Sequence, residues 1–153
     1  MKEEVLKVQD LVVAYGNKKI IDGFNLSIDQ GEFVGIIGPN GAGKSTLVKA
    51  ITNIMDSQRG FIWIKGYLNR KLSKRQLAKL IAVVPQEFHI EYEFTNYDIV
   101  LMGRNPYIDR KHKLGQRDYE IVKEAMMMTN TWSFRDSLFN ELSGGERQRV
   151  IVA

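Results

Sequence analysis

The chain has 153 residues, of which 44% are hydrophobic and 26% charged, and its 22 basic and 18 acidic side chains give a net charge of +4. This composition excludes a disordered chain, and the absence of cysteine excludes disulfides and thiolate metal sites. Without an apolar signal segment, a run long enough to span a bilayer or a basic cluster, we expect a cytoplasmic protein with no nucleic-acid partner.

The first elements along the chain alternate between strand and helix patterns. Val5 to Val13 and Asn25 to Ile28 are rich in the branched apolar residues typical of strands. The wholly apolar run Phe33 to Ile37 predicts a strand buried on both faces of a sheet. A glycine-rich turn follows, and then an amphipathic helix is predicted by apolar residues at helical spacing, namely Leu47, Ala50, Ile51 and Ile54.

Three more elements precede a change of character. Phe61 to Ile64 predicts a strand, and Ser73 with Gln76 predicts a capping box that begins a short helix. Ile81 to Val84 predicts another strand, which Pro85 ends. Beyond these the patterns are helical only, over Thr95 to Met102, over Arg117 to Met128, and from about Ser143. We therefore predict an α/β fold whose second lobe is mainly helical.

A phosphate-binding loop is predicted at residues 38–45, which read Gly38-Pro39-Asn40-Gly41-Ala42-Gly43-Lys44-Ser45 and match G-x-x-x-x-G-K-[ST]. Its context fits, since a buried apolar run precedes it and an amphipathic helix follows. The glycines let backbone N–H groups surround an anion at a helix N-terminus. The lysine reaches the β and γ phosphates, and the hydroxyl after it ligates Mg²⁺. A dinucleotide-type pattern fails for want of a third glycine, so the predicted ligand is a nucleoside triphosphate.

A second motif lies near the end of the sequence and reads Leu142-Ser143-Gly144-Gly145-Glu146-Arg147-Gln148-Arg149. Ser143 with Glu146 is also an ordinary capping box. Glycine in a helix costs roughly 1 kcal/mol relative to alanine, so two glycines in the first turn need a reason. A bare backbone at a helix N-terminus suits a closely approaching phosphate. With the phosphate loop and this motif in order, the whole chain resembles the ATP-binding cassette (ABC) family.

The resemblance implies a P-loop ATPase fold divided into a nucleotide-binding lobe at 1–86, a helical subdomain at 87–142 and the start of the signature helix at 143–153. Lys44 and Gln86 would be the catalytic residues, with Ser45 and Gln86 as Mg²⁺ ligands. ATP would contact an adenine-stacking ring and the loop, namely Tyr15, Gly38, Pro39, Asn40, Gly41, Ala42, Gly43, Lys44, Ser45 and Thr46.

The resemblance also implies a homodimer. In the family, the signature motif closes over the ATP of the opposite subunit, and here that role would fall to Leu142, Ser143, Gly144, Gly145 and Glu146.

The family pattern continues past the signature helix with an aspartate that holds Mg²⁺, a glutamate that polarises water and a histidine that senses the γ-phosphate. This sequence ends inside that helix, and its two histidines, His89 and His112, match no family histidine. We therefore expect an incomplete central sheet and almost no turnover, because charge stabilisation and water positioning supply most of the rate in phosphoryl transfer. The hypothesis is a truncated copy, a gene fragment or an incomplete record.

Residues 94–107 resemble the corresponding stretch of the ATPases of iron-chelate, haem and cobalamin importers; zinc and manganese importers have related runs. This implies the ATP-binding subunit of a metal-chelate importer, with transmembrane permease subunits as partners, on the inner face of the cell membrane. Two alternatives stay open. One is a module that binds nucleotide or the transporter without turnover. The other is a soluble relative acting in DNA repair or translation, although the chain has no coiled-coil insert and only one cassette.

Overall fold

A computed structural model describes residues 3–86, 90, 92–108 and 113–153. The chain divides into two compact units, residues 1–81 and 82–153. The finer division at residues 86 and 142 stays a prediction, and both histidines lie outside the described residues. Within the ranges given, no helix has both the length and the apolar character needed to cross a bilayer.

Unit 1–81 contains a four-stranded antiparallel sheet with the strand order β2-β1-β3-β4. The strands at Val5 to Val13 and Phe61 to Ile64 are confirmed, and the strand at Asn25 to Ile28 begins seven residues earlier than predicted. A tight turn joins the first two strands, so they form a long hairpin. The strand bounds are Glu4–Tyr15 for β1, Lys18–Asp29 for β2, Arg59–Ile64 for β3 and Tyr67–Leu68 for β4.

Two helices complete this unit, α1 (Lys44–Ile51) and α2 (Lys74–Ala78), and a 3₁₀ turn at Asn69–Lys71 lies between them. The predicted capping box of Ser73 at α2 is confirmed. The core joins one face of the sheet to both helices and contains Val8, Leu11, Val13, Ile21, Leu47, Ala50, Ile51, Ile62, Ile64 and Leu77.

The prediction that Ile54 belongs to the apolar stripe of α1 was wrong. The helix ends at Ile51, and Asn53 turns the chain through a left-handed conformation with φ 56°. Ile54 therefore lies beyond the helix and is 75% exposed.

The strands predicted at Phe33 to Ile37 and at Ile81 to Val84 are also absent from the described structure. Phe33 is 100% exposed and Ile37 98%. A strand buried on both faces needs hydrogen-bonded neighbours and covering layers. The four described strands form one antiparallel sheet, and neither run is part of it. The expectation of an incomplete central sheet agrees with this finding.

Unit 82–153 is helical, as predicted. Its helices are α3 (Asn96–Met102), α4 (Gln116–Met128) and α5 (Gly144–Val152), with 3₁₀ turns at Asn105–Tyr107, Trp132–Phe134 and Phe139–Glu141. Capping boxes begin α3 at Thr95 and α5 at Ser143. The core of this unit contains Ile99, Val100, Val122, Met126, Phe139 and Val150.

Candidate nucleotide site

The phosphate loop enters α1 through glycines that the backbone conformation requires. Gly41 has φ +83°, and Gly43, the residue that caps α1, has φ +91°. A side chain in this left-handed region costs roughly 1–2 kcal/mol. The N–H of Ala42 donates to the carbonyl of Pro39 at 3.2 Å, and the N–H of Leu47 donates to that of Gly43 at 2.8 Å. The loop is therefore a tight turn that leads directly into a helix N-terminus.

The loop lies against the β1–β2 hairpin. A Cβ at Gly43 would stand 3.1 Å from Cγ2 of Ile20 and 3.3 Å from its carbonyl oxygen. Two residues earlier in β2, Lys18 pairs with Tyr15 across the hairpin turn, a step of about 7 Å along a strand. Tyr15 is half exposed there, so its ring lies at the turn end of the hairpin that supports the loop.

Lys44 is folded back over the loop. Its Nζ donates to the carbonyl oxygen of Gly38 at 2.6 Å and to that of Pro39 at 2.8 Å. An ammonium group has three donors, and two of them are used here. The positive charge is thus held at the loop beside the helix N-terminus, where both attract an anion.

The two hydroxyl residues after Lys44 differ in exposure. Ser45 is exposed, and within the described residues its hydroxyl has no hydrogen-bond partner. A hydroxyl oxygen is a hard ligand of the kind Mg²⁺ prefers, so Ser45 fits the predicted role. Thr46 is only 8% exposed. Its contact with a phosphate would therefore be made by its backbone N–H, which lies in the first turn of α1. No cluster of three acidic or histidine side chains is placed to hold a metal ion in the described ranges.

Gln86 and the signature motif belong to unit 82–153, whereas Tyr15 and the phosphate loop belong to unit 1–81. Gln86 directly follows Pro85, is exposed, and is the last residue of the described range 3–86. Its predicted role with Ser45 at Mg²⁺ stays a prediction.

The signature motif begins α5 with a reciprocal capping box. The Ser143 hydroxyl donates to Oε2 of Glu146 at 2.6 Å, and the N–H of Ser143 donates to the same oxygen at 3.0 Å. The N–H of Glu146 donates to the Ser143 hydroxyl at 3.4 Å. The hydroxyl donor, followed by the backbone donor, lowers the pKa of Glu146 below its ordinary value.

Neither glycine of the motif is explained by the chain's own packing. Apart from the helix's own backbone, a Cβ at Gly144 or Gly145 would meet no atom of the described residues within 4 Å, and neither residue has a positive φ. The two glycines therefore leave a bare backbone at the N-terminus of α5, open to an approaching group.

Two positioning residues escaped the sequence analysis. Nδ2 of Asn69, which is buried, donates to the carbonyl of Ala50 at 3.0 Å and so holds the C-terminus of α1. Arg147 donates from Nη2 to the carbonyl of Asn140 at 2.6 Å and from Nε to that of Leu142 at 3.0 Å, and so fixes the segment before the signature. No spacing pattern identifies the first, and the second is visible only as part of the motif.

Comparison with known proteins finds relatives that all belong to one family. The family described as ABC transporter matches residues 21–153. An uncharacterized ABC transporter ATP-binding protein of Methanocaldococcus jannaschii is 40% identical over 149 residues, which are 97% of this chain and 51% of the relative. The iron(3+)-hydroxamate import ATP-binding protein FhuC of Bacillus subtilis is 34% identical over 148 residues, 97% of this chain and 55% of that protein. The chain thus spans about half the length of these relatives.

Solved structures have the same fold over nearly all of the chain. An ATP binding subunit of an ABC transporter aligns with a TM-score of 0.81 at 27% identity, covering 96% of this chain and 59% of the other. The ADP conformation of an ATP-binding cassette aligns with a TM-score of 0.80 at 26% identity, covering 97% and 63%.

Proposed function

Because the chain belongs to the ABC transporter family, as the match over residues 21–153 shows, we propose that it binds ATP with Mg²⁺ as part of an importer's ATP-binding subunit. The predicted fold class is confirmed by the solved ABC ATP-binding domains that it resembles. The observation that carries the proposal is the Lys44 ammonium, bonded to two loop carbonyls beside a glycine-capped helix N-terminus.

In this proposal, Lys44 exchanges its carbonyl partners for the β and γ phosphate oxygens. The N–H groups at the start of α1 donate to the same phosphates, and Tyr15 stacks on the base. Ser45 and Gln86 would hold Mg²⁺, which neutralises charge on the β and γ phosphates when bound. These residues bind and orient the nucleotide.

The open N-terminus of α5 supports a composite site in a dimer. Gly144 and Gly145 carry a bare backbone that none of the described residues covers, and Ser143 fixes the helix start by its capping box. We place the nucleotide of a second, identical subunit there, held by backbone N–H groups and the helix dipole. Closure of two subunits over ATP would drive permease subunits at the inner face of the membrane.

The cargo we propose is a metal chelate. Support comes from relatives named for such import: the iron(3+)-hydroxamate protein FhuC, the cobalamin import protein BtuD of Halobacterium salinarum at 38% identity and a probable siderophore transport protein of Bacillus subtilis at 33%. Each aligns over at least 97% of this chain.

The test is calorimetric titration of the chain with Mg²⁺ and ATP. Lys44→Ala is expected to weaken binding by a factor of roughly 10 or more, because a charge-assisted hydrogen bond contributes about 1.5–3 kcal/mol. Lys49→Ala is the matched control, since it removes an exposed lysine from the last turn of the same helix. Equal affinity in the Lys44 variant and the control would refute the phosphate-loop assignment. Phosphate release measured in the same samples separates turnover from binding alone.

A further inference from the structure

A polar cavity of about 380 Å³ lies on unit 1–81 at the bulge of β1, outside the residues assigned to the nucleotide. We name it the bulge cavity and define it by six of its lining residues, Asp10, Ser57, Arg59, Gly60, Phe61 and Arg70. Nothing in the proposed function uses any of them.

The floor of the bulge cavity is fixed backbone. The pairing of β1 shifts register between Val8 and Leu11 on one side and between Gln9 and Val12 on the other. Asp10 has φ +47° at this bulge, and its N–H donates to Oδ1 of Asn25 at 2.9 Å. Bulges of this kind turn side chains in new directions.

Gly60 lets β3 approach the bulge closely. Its φ is +87°, and a Cβ there would stand 2.5 Å from the carbonyl oxygens of Gln9 and Asp10. Only a residue without a side chain therefore fits at this crossing of the two strands. Arg59 and Phe61, on either side of Gly60 in β3, are thereby held beside the bulge.

Two arginines, Arg59 and Arg70, line the bulge cavity. The guanidinium groups of Arg59 and Arg70 have no ion-pair or side-chain hydrogen-bond partner in the part of the chain that the structure describes. The Arg70 guanidinium carbon lies 4.8 Å from the ring centroid of Phe61, a cation–π contact. Asp10, which lines the same cavity, accepts from Nδ2 of Asn25 at 3.4 Å, so the lining carries two cationic side chains and one carboxylate that already has a partner.

We propose that the bulge cavity binds the oxyanion group, carboxylate or phosphate, of a small molecule. Guanidinium groups bind either oxyanion through two parallel hydrogen bonds. The Ser57 hydroxyl, which has no partner within the described ranges, supplies a further donor. The half-exposed ring of Phe61 covers the apolar part of the ligand.

The test is an NMR titration of the full chain with inorganic phosphate and, separately, with acetate. The observed signals are the Nε–Hε groups of Arg59 and Arg70 and the amide of Gly60. The amides of Gly41 and Gly43 report phosphate at the nucleotide loop independently. We expect the cavity signals to saturate together with one dissociation constant. Saturation with phosphate alone identifies a phosphoryl ligand, saturation with acetate alone identifies a carboxylate ligand, and saturation with both identifies a site that accepts either oxyanion.

The decisive variant is Arg59→Gln/Arg70→Gln, followed at Gly60, for which we expect binding to weaken by a factor of about 10 or more. Lys18→Gln/Lys49→Gln removes the same charge from exposed positions of this unit and is expected to leave the dissociation constant unchanged. Shifts that never saturate with either anion, or the same saturation at Gly60 in both double variants, would overturn the proposal.

Discussion

At the residue scale, the effects of backbone strain and of close packing can be measured apart at two glycines, Gly60 in β3 and Gly66 in the turn between β3 and β4. Gly60 and Gly66 both have positive φ, +87° and +78°, but a Cβ at Gly60 meets backbone at 2.5 Å whereas one at Gly66 meets nothing within 4 Å. We predict that Gly66→Ala lowers the free energy of unfolding by about 1–2 kcal/mol from strain alone. Gly60→Ala should cost clearly more, because β1 and β3 must also move apart. Urea unfolding of both variants measures the difference, and equal losses would contradict it.

Glu146 makes the start of α5 sensitive to acid. Its carboxylate accepts two hydrogen bonds from Ser143, and these lower its pKa. A depressed folded-state pKa contributes stability above the unfolded pKa of about 4.3, and this contribution is lost as pH falls through the folded value. Glu146→Gln keeps an acceptor but does not titrate. We therefore predict that it loses less melting temperature than the wild type between pH 6 and pH 3, and parallel melting curves would refute this.

At the scale of the element, the two glycines of α5 lower the stability of the helix but leave its N-terminus open for the proposed phosphate contact. Both have non-positive φ and open space at the Cβ position, so Gly144→Ala and Gly145→Ala should each raise the free energy of unfolding by about 0.4–1 kcal/mol. The same methyl groups would obstruct a phosphate that approaches the bare helix N-terminus. We predict variants that are more stable in urea yet weaker in ATP-dependent association, measured by sedimentation. Unchanged association would refute the proposed role of the signature in a dimer.

The elements that the sequence predicted correctly are those whose signals are local. Capping boxes at Ser73 and Ser143 and the glycines before α1 act through groups a few residues apart, so the sequence alone shows them. The buried strand predicted at Phe33 to Ile37 depends instead on neighbouring strands, which the described sheet does not supply. In the candidate site, the motif predicted the loop itself. It could not predict Asn69, because that contact joins residues 19 positions apart with no periodic pattern.

On the scale of the whole molecule, the two segments that were predicted to be strands but are not, 33–37 and 81–84, leave apolar side chains exposed. Phe33 and Ile37 in unit 1–81 are almost fully exposed, and Val83 and Val84 in unit 82–153 are about half exposed. Exposed apolar patches favour association and bind apolar dyes. We therefore expect the chain to bind such a dye while its two cores remain folded.

The double variant Phe33→Ser/Ile37→Ser tests this expectation. It should lower dye fluorescence without shifting the urea unfolding transition, because these two side chains are not part of the core. Leu11→Ala is the opposite control. Leu11 is fully buried in that core, so its truncation should cost about 2–5 kcal/mol and raise dye binding. If the double variant bound as much dye as the wild type, Phe33 and Ile37 would be covered in solution, and the exposed surface would have to lie elsewhere.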